Sequence, residues 1–229
     1  AAHRDLVMKK AKAISLVGQS MPLVTMKGRN AVPTGLGELL IEKVLESGIS
    51  YQKKDLHIVE KLVSLMFIKK YKKKEYLLRE GEVCKEIFYV QKGLLRVYII
   101  NEGKEVNTWF VKEGDFITSI SSYHKQQPSE HYIDALEDCE IITIKKTTLD
   151  FIMKNNHKAA LFANNELFNK LCDYQEQASA LRFMSAENRY NYLFEKQAAI
   201  FSRLSQKHLA SFLGVDTTYL SKIISKEKK

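Results

Sequence analysis

Residues 205–223, "SQKHLASFLGVDTTYLSKI", carry an apolar pattern that fits neither one continuous helix nor a strand. Divided into two helices, 206–213 and 217–225, the pattern becomes regular, because its apolar side chains then point between the helices. Gly214 can adopt the left-handed turn conformation, and Asp216 can accept hydrogen bonds at the start of the second helix. The stretch therefore predicts a helix-turn-helix packed around its apolar positions, which are Leu209, Leu213, Val215, Leu220 and Ile223.

The second helix of this motif would present hydrogen-bonding and cationic side chains outward, as a helix that reads a DNA groove does. The start of the first helix would supply contacts to DNA phosphates. A helical hairpin packed only for stability is the alternative. The residues expected at base edges are Thr217, Thr218, Ser221 and Lys222, and those expected at phosphates are Ser205, Gln206, Lys207 and His208.

Upstream, residues 75–145 contain short β-branched and aromatic runs separated by glycine or polar turns. Several strands at roughly ten-residue spacing predict an antiparallel sandwich or barrel. Before these runs, residues 38–67 have apolar positions three and four apart, which predicts two short helices.

A helix without Gly or Pro is expected between the strands and the C-terminal motif. Five of its residues are spaced four, three, four and three apart, which is a heptad seam and predicts a homodimer. A helix packed on its own domain is the alternative. The expected seam residues are Leu167, Leu171, Tyr174, Ala178 and Leu181.

Together these patterns predict an α+β chain with four parts. A loosely ordered basic extension (1–37) precedes a β-roll, or jelly-roll, effector-type domain (38–153), a dimerisation helix (154–184) and an all-α helix-turn-helix domain (185–229). The net charge of +9 indicates an anionic partner such as nucleic acid. No apolar run approaches the roughly 20 residues of a membrane span. Three widely spaced cysteines predict neither a disulfide framework nor a metal site and fit a cytoplasmic location.

The segments "LLREGE", "VQKG", "VKEGDFI" and "RFMSAENRYNYL", followed by the helix-turn-helix, resemble the Crp/Fnr superfamily of bacterial transcription regulators, above all its Bacteroidetes-type members. The resemblance extends from about residue 38 to the end. It implies a homodimeric regulator whose partners are double-stranded DNA and RNA polymerase.

The resemblance also implies where an effector would bind. Cyclic-nucleotide-binding relatives hold the ribose with a Gly-Glu pair, where this chain has Thr118 and Ser119. Relatives hold the phosphate with Arg followed by Ser or Thr and Ala, where this chain has Ser129, Glu130 and His131. Glu130 would repel the phosphate, so cyclic AMP is not expected to bind. An unknown small-molecule effector, or a loop without ligand, stays open; the candidate lining residues are Tyr123, His124, Ser129, Glu130 and His131.

An enzyme of the cupin type would need an HxH pair with further metal ligands. His124 and His131 lie seven residues apart in a polar segment, so we predict no catalytic residue, no metal site and no cofactor. The remaining alternative is a ligand-sensing or protein-binding β-roll without DNA-reading activity.

Overall fold

The structure, a computed structural model, describes residues 67–227. The expectations for the extension at 1–37 and for two helices before residue 67 lie outside the described residues. The strands are β1 (Phe67–Tyr71), β2 (Tyr76–Leu78), β3 (Glu86–Lys92), β4 (Leu95–Asn101), β5 (Lys104–Val111), β6 (Phe116–Ile117), β7 (Tyr132–Ala135) and β8 (Cys139–Lys145). The helices are α1 (Ile120–Lys125), α2 (Lys146–Asn155), α3 (His157–Phe183), α4 (Ala186–Phe201), α5 (Gln206–Leu213) and α6 (Thr217–Glu227).

The strands form two four-stranded antiparallel sheets, with orders β1-β8-β3-β6 and β2-β7-β4-β5. Alternating apolar residues of the strands point inward and meet in one core. Phe88 and Ile141 come from the first sheet, and Val97 and Ile133 from the second. This arrangement confirms the predicted β-roll and the α+β class.

Helix α3 packs against the β-roll of its own chain. The Trp109 ring on β5 contacts the Tyr174 ring, with centroids 4.6 Å apart. Gln177 Nε2 donates to the backbone oxygen of Thr108 at 3.0 Å. One side of this long helix is thus fixed on strand β5.

Helices α4, α5 and α6 form the C-terminal helical unit, as expected. Its core shares one cluster with β-roll residues, because the Phe110 ring packs edge-on against the Phe212 ring at 5.1 Å between centroids. Helix α5, the first helix of the helix-turn-helix, therefore lies directly against strand β5. The buried helical core residues are Leu193, Leu209, Leu213, Leu220 and Ile223.

No helix within residues 67–227 is long and apolar enough to cross a membrane. Over the same range, no cluster of three or more His, Cys, Asp or Glu side chains could hold a metal ion.

Candidate nucleic-acid interface

The turn between α5 and α6 has the local geometry that its sequence predicts. Gly214 lies in the left-handed region at φ 68°, and its N–H donates back to the carbonyls that end α5. Asp216 Oδ1 accepts the Tyr219 N–H at 2.7 Å and so caps the start of α6. The direction of α6 relative to α5 is set by this turn.

The outer face of α6 is open to solvent. Thr217, Thr218 and Lys222 are exposed, whereas Ser221 is half-buried. Ser221 Oγ donates to the backbone oxygen of Thr217 at 2.9 Å, which leaves its lone pairs available as acceptors. The structure thus brings the four residues expected at base edges onto one helix surface.

The start of α5 holds the residues expected at phosphates, with one exception. Ser205 Oγ accepts the His208 N–H at 3.2 Å as the helix cap, while Gln206 and Lys207 are exposed beside it. These three residues lie at one helix N-terminus, where backbone N–H groups favour anions.

His208 is the exception, because it faces the β-roll. Its carbonyl accepts from Asn107 Nδ2 at 2.9 Å, and its half-buried side chain lies near Arg96. Burial, followed by the positive charge of Arg96, lowers the pKa of His208. A neutral side chain on this side of α5 does not suit a phosphate contact, so the placement differs from the expectation.

The contacts that fix the helical unit on the β-roll could not be found from the sequence. Ser211 Oγ donates to the Glu105 carbonyl and accepts the Asn107 N–H, both at 3.0 Å. Arg203 donates to both carboxylate oxygens of Glu113 at 2.9 Å and to Glu137 at 2.5 Å. The hydrogen bonds from Arg203 lower the pKa of Glu113 to about 2. These partners are 66 to 106 residues apart, and no local spacing signals them.

The positive charge of the chain is unevenly distributed. Residues 67–153 contain 14 Lys or Arg and 14 Asp or Glu. From residue 182 onward there are nine Lys or Arg against four Asp or Glu. Five of the nine net positive charges therefore lie in the part of the chain that carries α5 and α6, which is the distribution expected of a DNA-binding unit.

Two of the positions expected to differ from cyclic-nucleotide-binding relatives, Ser119 and Ser129, contact each other through their hydroxyls. Ser129 Oγ donates to Ser119 Oγ at 2.9 Å, and both side chains are buried. The His131 N–H donates to Ser129 Oγ at 3.0 Å. Each serine hydroxyl is satisfied within the protein, and neither position carries a charged side chain.

The other expected effector residues differ in their exposure. His124 and Glu130 are exposed, whereas Tyr123 and His131 are half-buried. Tyr123 Oη and His131 Nδ1 have no hydrogen-bond partner among residues 67–227. A surface cavity of about 800 Å³ opens instead between the β2–β3 connection and the start of α2, and its lining contains none of the five expected residues.

The expected seam lies on α3, but one member differs from the others. Leu167, Leu171, Ala178 and Leu181 are exposed, and Leu167 and Leu171 each keep 57% of their surface accessible. Tyr174 is half-buried, and its ring contacts Trp109 of the same chain. Phe168, 58% exposed, lies beside Leu171 on that face.

Comparison with known proteins adds to this geometry. Residues 68–156 match the family of cyclic nucleotide-binding domains. The cAMP-activated global transcriptional regulator CRP of Salmonella typhimurium is 25% identical over 132 residues, which are 57% of this chain and 63% of that protein. The chain thus matches slightly less than two thirds of this relative.

Two solved structures share the fold. The c-di-GMP responsive global regulator CLP of Xanthomonas campestris has a TM-score of 0.62 at 15% identity, covering 75% of this chain and 91% of that one. A Crp/Fnr-family transcriptional regulator of Eubacterium rectale has a TM-score of 0.60 at 17% identity, covering 78% and 84%. In both, the likeness extends over most of each chain.

Proposed function

We propose that this chain is a member of the Crp/Fnr superfamily and a sequence-specific DNA-binding transcriptional regulator that acts as a homodimer. Its match to the cyclic nucleotide-binding domain family and its likeness to CRP support this proposal. The observation that carries the proposal is the open face of α6, where Thr217, Thr218 and Lys222 are exposed on a helix oriented by the Gly214 turn. Such a face can enter the major groove of DNA.

The side chains on α6 and at the start of α5 have separate roles. The Lys222 amine can donate to guanine O6 or N7, and the hydroxyls of Thr217 and Thr218 can bond base edges or phosphates. Phosphate contacts from Ser205, Gln206 and Lys207 would fix the position of α6 along the duplex. We leave His208 out of this interface because it faces the β-roll.

Dimerisation follows from the open apolar face of α3. Leu167, Phe168 and Leu171 would lose their water contact against a second copy of α3, which is favourable for apolar surface of this size. Two chains joined along α3 would hold their recognition helices about 34 Å apart, one turn of DNA. The bound site would then be a pseudo-palindrome.

We further propose that cyclic AMP is not the effector. A buried hydroxyl pair occupies the positions of the charged side chains that bind the nucleotide in relatives, and Glu130 adds a negative charge beside them. Millimolar cyclic AMP should therefore change neither the melting temperature nor the DNA affinity. A saturable rise in melting temperature would contradict this, since a ligand that binds the folded state stabilises it.

This function assigns the chain no catalytic step. It places the protein in the cytoplasm, where DNA is available and where RNA polymerase is the further partner of a regulator.

Selection of binding sites from a random duplex library tests the function. We expect the wild-type protein to enrich a two-fold-symmetric site and Lys222→Ala to lose it. Lys196→Ala is the matched control, because it removes one exposed lysine from α4, outside the recognition face. No enrichment, or enrichment that survives Lys222→Ala, would contradict DNA reading by α6 and favour a β-roll that binds a ligand or a protein.

A further inference from the structure

Arg189 on α4 contacts the C-terminal ends of two other helices. Its Nη1 donates to the carbonyls of Leu181 and Met184 at the end of α3, at 3.4 and 3.3 Å. Its Nη2 donates to the carbonyl of Leu213, the last residue of α5, at 2.6 Å. The guanidinium of Arg189 thus joins the end of α3, the helix of the proposed dimer seam (the seam helix), to Leu213, the residue before the Gly214 turn.

The chemistry of this contact requires arginine. Carbonyls at helix C-termini lack partners within their own helix and carry partial negative charge, so a cation there is favourable. Arg189 is only 9% exposed, which makes these hydrogen bonds hard for water to replace. A lysine carries its charge on a single nitrogen and cannot present the planar fork that reaches both helix ends.

Helix α4 is also tied to the recognition helix. Lys226 of α6 forms an ion pair with Glu187 of α4 at 3.2 Å, and Glu187 lies two residues before Arg189 in the chain. This pair is exposed and contributes little by itself. The buried fork of Arg189, unlike this exposed pair, reaches the seam helix α3 itself.

We propose that Arg189 is the positioning residue that fixes the angle between the dimer seam and the recognition helix, and so sets the half-site spacing that the dimer reads. The inference rests on the proposed function. Without Arg189, α3 and α5 would keep their own folds, but their ends would no longer share a hydrogen-bonded link. The angle between each recognition helix and the seam would then depend only on the packing of α4 and on the contacts with β5.

The dependence of DNA affinity on the separation of the two half-sites distinguishes a positioning role of Arg189 from a purely stabilising one. A rigid dimer gains from engaging both half-sites at once only when their separation matches, whereas a loosely linked dimer accepts several separations and gains less. A residue that only stabilises the fold would change the affinity at every spacing by the same factor.

The experiment uses the selected palindrome with its spacer lengthened and shortened by single base pairs, and compares the full chain with Arg189→Met. We expect the wild type to lose about tenfold or more in affinity at altered spacers, because both half-sites are no longer engaged together. Arg189→Met should stay within about threefold across the series, with unchanged affinity for a single half-site. Glu195→Gln, which removes an exposed charge from the same helix, should keep the wild-type profile.

An Arg189→Met profile with the wild-type shape, even at lower overall affinity, would overturn the proposal. If this variant fails to fold, Arg189→Lys replaces it, and a wild-type profile for that variant overturns the proposal equally. A wild-type protein that binds no palindrome would instead contradict the proposed function, so the two failures are distinguishable.

Discussion

Gly214 and Gly93 both adopt positive φ angles, 68° and 102°, but a side chain would meet different surroundings at each. A Cβ at Gly214 would find no atom within 4 Å, so its cost is conformational only. A Cβ at Gly93 would overlap Cys139 Sγ and come within 3.0 Å of the Asp138 carbonyl. A side chain at Gly214 would therefore cause backbone strain alone, whereas a side chain at Gly93 would cause both strain and steric overlap.

This difference predicts the stability of two variants. Gly214→Ala should lower the free energy of unfolding by about 1 kcal/mol, the cost of a left-handed alanine. Gly93→Ala should cost more, because strain and overlap in the β-roll core add together. Gly214→Asn is the control, since asparagine tolerates this conformation better than alanine. Chemical denaturation measures all three, and equal losses at both glycines would contradict the argument.

Residue roles that depend on local geometry could be predicted from the sequence. Gly214, Asp216 and Ser205 act on backbone groups within a few residues, so spacing alone indicates their function. His208 and Tyr174 have the right local spacing for DNA and seam contacts, yet strand β5, about a hundred residues away for His208, covers them. A sequence shows which face of a helix is apolar or polar, but it does not show what packs on that face.

At the scale of elements, Arg203 in the α4–α5 connection contributes to the docking of the C-terminal helical unit on the β-roll. Its guanidinium bridges the carboxylates of Glu113 and Glu137, which lie at the ends of strands on the β-roll. Hydrogen bonds from Arg203 lower the pKa of Glu113, and the partial burial of this carboxylate opposes that shift. The sequence predicted both elements, but their docking was not predictable, because the charges that join them are far apart along the chain.

The same contact predicts a pH dependence of stability. Because folding lowers the pKa of Glu113 from 4.5 to about 2, the ion pair stabilises fully above pH 4.5 and is lost as the pH falls toward 2. Arg203→Met should therefore reduce the free energy of unfolding by about 1 kcal/mol near neutral pH, and the difference should shrink in acid.

Denaturant unfolding of both proteins across this pH range checks the prediction. Lys72→Met is the control, because its ion pair with Asp138 is largely exposed and its loss should cost little at any pH. A difference between the wild type and Arg203→Met that stays constant down to pH 2 would show that the arginine stabilises by packing.

At the scale of the whole molecule, α3 serves two surfaces at once. Trp109 and Thr108 hold α3 on the β-roll through Tyr174 and Gln177, and the exposed leucines lie on the adjoining face of the same helix. A second chain on this open face would place the two basic C-terminal units on one side of the dimer seam. The division of α3 into two sides makes a single residue a clean test of dimerisation.

Leu171→Asp should convert the dimer to monomers, because it places a charge in the middle of the surface that the two chains would bury. Tyr174 is unsuitable for this test, since its replacement would also break the contact with Trp109. Asn169→Asp adds the same charge at an exposed position on another side of α3 and should remain dimeric. Sedimentation velocity at micromolar concentration distinguishes the outcomes, and an unchanged dimer for Leu171→Asp would exclude this face.

Hydroxyl-radical footprinting on a duplex carrying the selected site tests the central claim most directly, because it shows how many recognition helices bind and where. We expect two protected segments related by a dyad and about one helical turn apart, both lost for Leu171→Asp. A single protected segment, or a footprint that Leu171→Asp leaves intact, would contradict a homodimer that reads DNA through paired α6 helices.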